Sequence, residues 1–572
     1  MPRLGLALVM VLVAVCGCGP SATTDSEERV TFIRDGLLLP GEARANVVLD
    51  VTTEGRTIKL TPALPVGGRT VFHFGWERGK RYELTLWSTD GSVVFLAAVT
   101  APIRPEPLVV RTVPLEKVHA GSVTSGGEPD ASLAFSADGT LLAVGTFGGY
   151  LRVFDTRTGG CVFEKRFPEA VIKRVAISED DSRVYAGEMS YDGFVRAFDL
   201  KTKVELWRFR LADELETSRP ARAHDFFALY SYPQVYCMRA LGDDLVVDGF
   251  HSWTHGGKPR HLSRMYRFDG RTGVARWKWP ADAPLPRNIS WFDLDDEVVA
   301  LSAYQWEAPA EGDKTPQAAI VLLDVASGKV LDRHRFEPLV PHFTTTPMWY
   351  GLAFDGFGHL AVGMMDGRGA VFDTHSEGGT PVLKLVRNLD LARPVEVTGV
   401  PVYAGAPWAA GSGNELYILT DGRLIAPSAS AKGKTVRADH PAANTLFALE
   451  GATGKLLWRW KLTTTAQSVA AGRNLLVAST QQSFSPDDPM DYGLTAFDTA
   501  FTLPPPEEGD FPFGGRTAAA PIDKLLFRYH TAGPVVALAV SPDGKTIATV
   551  EAPVRLPDEM TVVGTYRLHI LR

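Results

Sequence analysis

The chain of 572 residues reads as an all-β protein, a small β-sandwich followed by a long array of four-stranded units. Three observations predict this. Apolar runs are short, alternate with polar positions and are bounded by Gly, Asp or Pro, with no sustained 3.6-residue period. A tight-turn signature recurs, as in Val153-Phe-Asp-Thr-Arg-Thr-Gly159, Arg267-Phe-Asp-Gly-Arg-Thr-Gly273 and Leu322-Leu-Asp-Val-Ala-Ser-Gly328. Composition is globular and turn-rich, with 45% hydrophobic residues, 54 glycines and 39 prolines, which excludes a collagen-like or wholly disordered polymer.

Residues 1–17 read as a targeting segment. One charge at Arg3 precedes the uncharged run 4–15, too short to span a bilayer of about 30 Å as a helix. It ends in Val15-Cys16-Gly17-Cys18, which resembles the bacterial lipobox. The resemblance implies that Cys18, preceded by the small Gly17, carries the lipid (palmitate among its acyl chains) and becomes the mature N-terminus. Cys16 would place the branched Val15 at the cleavage point. Residues 18–29 are polar and read as a flexible tether. Gly19, rather than an aspartate, follows Cys18. By resemblance to the enterobacterial sorting rule this implies the outer membrane, with the periplasmic face expected and the cell surface as the alternative.

Residues 30–104 hold six short strand-like runs, among them Val30-Thr-Phe-Ile, Thr70-Val-Phe-His-Phe and Val93-Val-Phe-Leu, and predict the sandwich. The segment Gly79-Lys-Arg-Tyr-Glu-Leu-Thr-Leu-Trp resembles a late strand of an immunoglobulin or fibronectin type III module. Pro102, Pro105 and Pro107 predict a stiff linker, since proline fixes φ and donates no ladder bond.

Within 105–572 the turn signature closes a third strand and opens a fourth. Its Asp or Glu accepts backbone N–H bonds and its Gly supplies φ > 0. Turns such as Ser136-Ala-Asp-Gly139 and Ser541-Pro-Asp-Gly544 join first to second strands. Together these specify four-stranded blades. The region resembles β-propellers of the pyrroloquinoline-quinone-like and WD40-like classes. Ala448-Leu-Glu-Gly-Ala-Thr-Gly-Lys-Leu-Leu-Trp458 resembles their tryptophan-docking motif, and weaker matches carry Trp207 and Trp277. The resemblance implies structural roles for Trp207, Trp277 and Trp458. Third strands ending at Asp155, Asp199, Asp269, Asp324, Asp373, Glu450 and Asp498, with a terminal strand in 566–571, predict eight blades. Seven is the alternative, if the copy near Asp373 or Asp498 belongs to a merged unit. The stretch 108–117 is expected to complete the terminal blade, so that the two chain ends close one sheet and remove its exposed edges.

In this register the long insertions 251–263, 305–317, 421–444, 481–491 and 553–563 fall between second and third strands, on one face. Loops carry recognition on a rigid scaffold, so Trp253, Trp306, Phe484 and Tyr492, with Trp349, Tyr350 and Trp408 on adjoining connections, form the expected binding face.

Chemistry is sparse. Against 66 acidic residues stand 59 Lys and Arg, a net charge of −7 with no basic block, which argues against nucleic acid. His251, His255 and His261 lie in a glycine-containing stretch read as a loop, where i, i+4 spacing has no helical meaning, and no metal is expected. His224-Asp225 reads as a solvated pair, and Asp487, Asp488 and Asp491 lack the alternating ligand positions of a calcium loop. Cys161 and Cys237 fall on different blades and read as buried free thiols. Quinoprotein dehydrogenases, which the docking motif resembles, hold their cofactor with calcium, an aspartate base and often adjacent cysteines; no adjacent pair follows the signal here. The expectation is therefore a monomeric, non-catalytic scaffold without cofactor, membrane-attached through its lipid and binding envelope proteins. Its plan is similar to the propeller lipoprotein that serves outer-membrane β-barrel assembly, though that family lacks the sandwich. A channel oxidoreductase and a carbohydrate or cell-wall binding protein are the rival readings.

Overall fold

The computed structural model describes residues 30–40, 47–63, 69–116, 131–217, 231–304, 319–343, 351–377, 379–397, 400–422, 424–425, 440–481, 491–500, 524–555 and 561–572. Cys16, Cys18, Trp306, Trp349, Tyr350, Phe484, His224, Asp225, Asp487 and Asp488 lie outside the described residues. No helix among the described residues is long and apolar enough to cross a membrane. The chain divides into two compact units, 1–111 with Arg572, and 112–571.

The first unit has a three-stranded sheet of Thr31–Ile33, Gly36–Pro40 and Arg69–His73, and a four-stranded sheet ordered Arg56–Leu60, Val48–Thr53, Arg81–Trp87, Val93–Thr100. Phe32, Leu37, Leu49, Val51, Phe72 and Leu84 from both sheets bury one shared core. Gly36–Pro40 is a strand absent from the sequence reading, because its Gly and Pro mask an apolar run. The Pro-rich segment is tied rather than free: the Glu106 amide donates to the Phe32 carbonyl at 2.9 Å.

The second unit is built mainly of antiparallel groups of four strands, of which the second and third are joined into one eight-stranded sheet through Met189 and Gln234. The first comprises Ala131–Phe135, Leu141–Thr146, Tyr150–Asp155 and Cys161–Arg166. The second comprises Val171–Ile177, Arg183–Met189, Phe194–Asp199 and Glu205–Arg210, and the third Gln234–Leu241, Asp244–His255, Lys258–Asp269 and Ala275–Trp279. The fourth is built from Asn288–Leu294, Val298–Tyr304, Ala319–Asp324 and Val330–Arg335, and the fifth from Gly351–Phe354, His359–Gly363, Arg368–Asp373 and Lys384–Asp390. Trp408–Ser412, Glu415–Leu419, Thr445–Glu450 and Leu456–Lys461 make the sixth, and Ala466–Gly472, Leu475–Thr480, Gly493–Asp498 and Leu525–His530 the seventh. The closing sheet is ordered Val535–Val540, Ile547–Glu551, Arg567–Leu571, Val109–Pro114, so a strand from early in the chain supplies its outer edge. The first strands of successive sheets touch in turn, and Val535–Val540 touches Ala131–Phe135. The sheets therefore stand radially around one axis, as a WD40-like β-propeller.

Local chemistry explains the repeat. The Asp155 carboxylate accepts the amides of Arg157 at 3.0 Å and Thr158 at 2.8 Å, while Gly159 turns at φ +65°. At the opposite strand junction Ser136 Oγ donates to Asp138 at 2.7 Å and accepts the Leu141 amide at 2.9 Å; Ser541 and Asp543 repeat the first bond at 2.6 Å.

Candidate functional site

The first strands line a central cavity of about 1140 Å³. Five of them carry a β-bulge at the same place, with the register stepping past Lys173, Tyr236, Ser290, Gln467 and Val536. A bulge re-aims side chains, and Lys173, Tyr236, Gln467 and Val536 all line the cavity. On the wall formed by the second to fourth sheets, the guanidinium carbons of Arg174 and Arg239 each lie 5.5 Å from the Trp291 ring centre. Both guanidinium groups hold main-chain carbonyls: Arg174 Nε donates to Tyr236 O at 2.7 Å and Arg239 Nη1 to Met238 O at 3.0 Å. Asp293 lies 3.6 Å from Arg239 and also accepts the Phe354 amide at 2.9 Å; burial pushes its carboxyl up, against Arg239. The wall of the sixth, seventh and closing sheets is mostly small and apolar, with Ala410, Val469, Ala470, Val536 and Leu538.

Sequence reasoning missed this constellation. Its signal is charge inside otherwise apolar first strands, in Val171-Ile-Lys-Arg-Val175 and Val235-Tyr-Cys-Met-Arg239.

The expected binding face is only partly described. Trp253 is half-buried and stacks on the His251 ring, centres 4.1 Å apart at 14°. Trp408 is half-buried on a first strand at the cavity. Tyr492 is a correction: it is 4% exposed and belongs to the packed interior, not to an open face. The stretch 251–263 is a second correction. It is a long hairpin with residues 244–255 paired to 258–269 around the Gly256-Gly257 turn, because alternating residues continue the ladder that glycine content seemed to interrupt. His251 is fully buried there, with Nδ1 2.8 Å from Leu215 O and Nε2 2.9 Å from Ser231 O.

The segregation of long connections is also looser than the sequence implied. The connection 499–524 joins the third and fourth strands of the seventh sheet, on the face expected to hold only short turns, and 374–383 does so in the fifth. Nor is 421–444 a simple loop. Leu424–Ile425 pairs with Val400–Tyr403, and His440, Ala442 and Ala443 are buried. His440 Nε2 donates to Arg393 O at 2.9 Å while Nδ1 accepts the Ala442 amide at 3.1 Å. That pattern fixes a neutral ring, and burial holds its pKa down at about 4.

Trp207 Nε1 donates to Gly270 O and Trp277 Nε1 to Val325 O, each at 2.9 Å and each in the following sheet. Trp458 is 1% exposed and packs on Phe497, ring centres 5.4 Å apart, yet its Nε1 has no hydrogen-bond partner among the described residues. Cys161 and Cys237 are both free. Cys161 is exposed on an outer strand, correcting the reading of two buried thiols, while Cys237 is buried. Asp491 is engaged by the Thr463 hydroxyl at 2.6 Å and His530 Nδ1 at 3.0 Å. Among the described residues no group of three or more His, Cys, Asp or Glu is placed to hold a metal.

With this geometry in view, residues 117–155 match the family described as WD domain, G-beta repeat. In structure the chain is similar to BamB from Moraxella catarrhalis, at 12% identity and a TM-score of 0.36, covering 79% of this chain and 92% of that one. It is also similar to Saccharomyces cerevisiae Sqt1, at 8% identity and a TM-score of 0.45, with 82% and 98% covered. A third likeness is the computationally designed Ika8 protein, at 15% identity and a TM-score of 0.42, with 78% and 98% covered. Comparison with curated protein sequences gives no match.

Proposed function

We propose that this protein is a non-catalytic interaction scaffold of the bacterial cell envelope, monomeric and held at the outer membrane by a lipid on Cys18. In this reading residues 30–104 form a β-sandwich, 105–572 form an eight-bladed propeller, and envelope proteins dock on the face bearing the connections after second and fourth strands. The observation that carries it is the contrast between stereotyped turns and long connections on the same repeated unit: 305–318, 481–492 and 552–566 replace hairpins of a few residues, such as 147–149, at the equivalent place. A rigid scaffold tolerates such length changes where recognition, not folding, uses them. The lipobox-like Val15-Cys16-Gly17-Cys18 supports the anchor.

The test is crosslinking of the full chain in membranes of a Gram-negative host, followed by fractionation. The scaffold reading expects discrete crosslinked protein adducts, and Cys18→Ala should move the protein to the soluble periplasmic fraction while Cys16→Ala leaves it membrane-bound. Titration with quinone and calcium, read as dye-linked alcohol or sugar oxidation, separates this reading from the oxidoreductase; turnover with a stoichiometric chromophore would overturn it.

A further inference from the structure

The central cavity differs from the loop-bearing face in having two chemically unlike walls. On one side Arg174 and Arg239 flank the Trp291 ring at 5.5 Å each, and Lys173 stands beside Arg174 on the bulged strand. Trp291 belongs to the fourth sheet, Arg239 to the third and Arg174 to the second, and Arg174 reaches over the third sheet through its bond to Tyr236 O, so three sheets contribute to one platform. Main-chain carbonyls fix both guanidinium groups in place, and the Arg239 side chain remains 40% exposed. The acids that line the cavity are Asp293 beside Arg239, Glu179 at the far end of the second sheet's first strand, and Asp421 beyond the second strand of the sixth sheet. The wall across the axis is built from alanine, valine and leucine side chains, with Gln467 and Ser468 among them.

A ligand that satisfies both walls carries one anionic head and one apolar body. The head meets fixed guanidinium donors, which favour carboxylate geometry, while the body covers Trp291 and the aliphatic wall. A volume of about 1140 Å³ suits a small molecule rather than a folded partner, being just above the range of ligand pockets, roughly 300–1,000 Å³. We propose that this cavity is a binding site for a small anionic amphiphile, with Arg174 and Arg239 taking the anionic head and Trp291 with the aliphatic wall taking the apolar body. This site is independent of the loop-face partner, so either can fail without the other.

Dodecanoate is the probe, titrated into the full-length protein by isothermal calorimetry, with dodecanol and dodecyltrimethylammonium as head-group controls. The proposal expects one saturable dodecanoate site, at least tenfold weaker binding of both controls, and at least tenfold loss in Arg239→Gln and Arg174→Gln. Arg239→Lys, which keeps the charge without the guanidinium fork, should bind more weakly than the parent but more tightly than Arg239→Gln, and Arg271→Gln, on a 62% exposed surface side chain, should bind as the parent does. Circular dichroism melts would accompany each variant to show that it is folded. Equal binding of dodecanoate and dodecanol, many weak sites, no binding, or a folded Arg239→Gln that binds as before would each overturn it.

Discussion

The Trp277 indole lies over Gly328 of the next sheet so closely that a Cβ at that glycine would stand 2.7 Å from the ring, while Nε1 donates to Val325 O in the same turn. The same arrangement joins Trp207 to Gly273, where a Cβ would meet the ring at 2.6 Å. The turn signature of one blade is thus the socket for the tryptophan of the blade before it. Spacing between third and fourth strands is fixed by docking as well as by turn conformation.

Two glycines of nearly equal φ separate these effects. Gly273 (φ +73°) faces Trp207, whereas Gly257 (φ +77°) has nothing within 4 Å of its Cβ position. Gly257→Ala should cost only the backbone strain, about 1 kcal/mol. Gly273→Ala should lose that and displace the indole, with a total on the order of 3 kcal/mol. Equilibrium urea unfolding of both variants, compared at equal m-value, checks the difference.

Trp277→Ala and Trp207→Ala should each destabilise by about 3–5 kcal/mol through the cavity left behind. Replacement by Phe separates ring from hydrogen bond. Trp277→Phe loses the bond to Val325, whereas Trp458→Phe removes a buried N–H that has no partner among the described residues. The Trp458 substitution should therefore be milder by roughly 1–2 kcal/mol, measured as thermal midpoints converted at a common unfolding enthalpy.

Much of the fold was legible because the turns are chemical. The Asp155 and Ser136 networks need those residue types at those offsets, and so the blade period can be read from the chain. The cavity was not legible, since a bulge at Lys173 or Tyr236 is a matter of register that no residue type announces. Hairpin 244–269 was misread because Gly256 and Gly257 sit at its tip, where they turn the ladder instead of interrupting it. Tyr492 was misplaced because an aromatic at a strand entrance packs inward as readily as outward.

Two buried groups give the pH–stability profile opposite limbs. His440 is held neutral in the fold, its pKa lowered from 6.5 to about 4 by burial against the opposing Arg393 carbonyl bond. Its contribution is complete above pH 6.5 and is lost as pH falls toward 4, at about 1.4 kcal/mol per pH unit. Asp248 is fully buried with neither carboxyl oxygen hydrogen-bonded among the described residues, and burial raises its pKa well above 3.8, against Arg174. Its contribution is complete below the unfolded value and is lost as pH rises toward the folded one. Asp248→Asn should therefore flatten the alkaline limb and raise stability at pH 7, and His440→Gln should flatten the acid limb. Urea midpoints between pH 4 and pH 9 report both.

Ring closure rests on the last strand. Arg567–Leu571 pairs with Ile547–Glu551, the Leu115 amide donates to Tyr566 O at 2.9 Å, and Thr112 Oγ1 lies 3.3 Å from His569 Nδ1. Deleting 566–572 should expose two sheet edges and yield aggregates. Light scattering on the truncated protein tests this; a monomer with an unchanged melting temperature would contradict it.

The scaffold reading is tested most directly by separating loop from fold. Within the sixth sheet's long connection His440, Ala442 and Ala443 are buried, so the deletion is confined to 426–439 and leaves them in place. Replacing 426–439 by a short Gly-Ser bridge should leave the melting temperature within about 2 °C, since a change in connection length alone costs little in loop-closure entropy. Recovery of the crosslinked partner from membranes should fall at least fivefold. Full recovery of every partner by a folded, loop-shortened protein would contradict the assignment of this face as the docking surface.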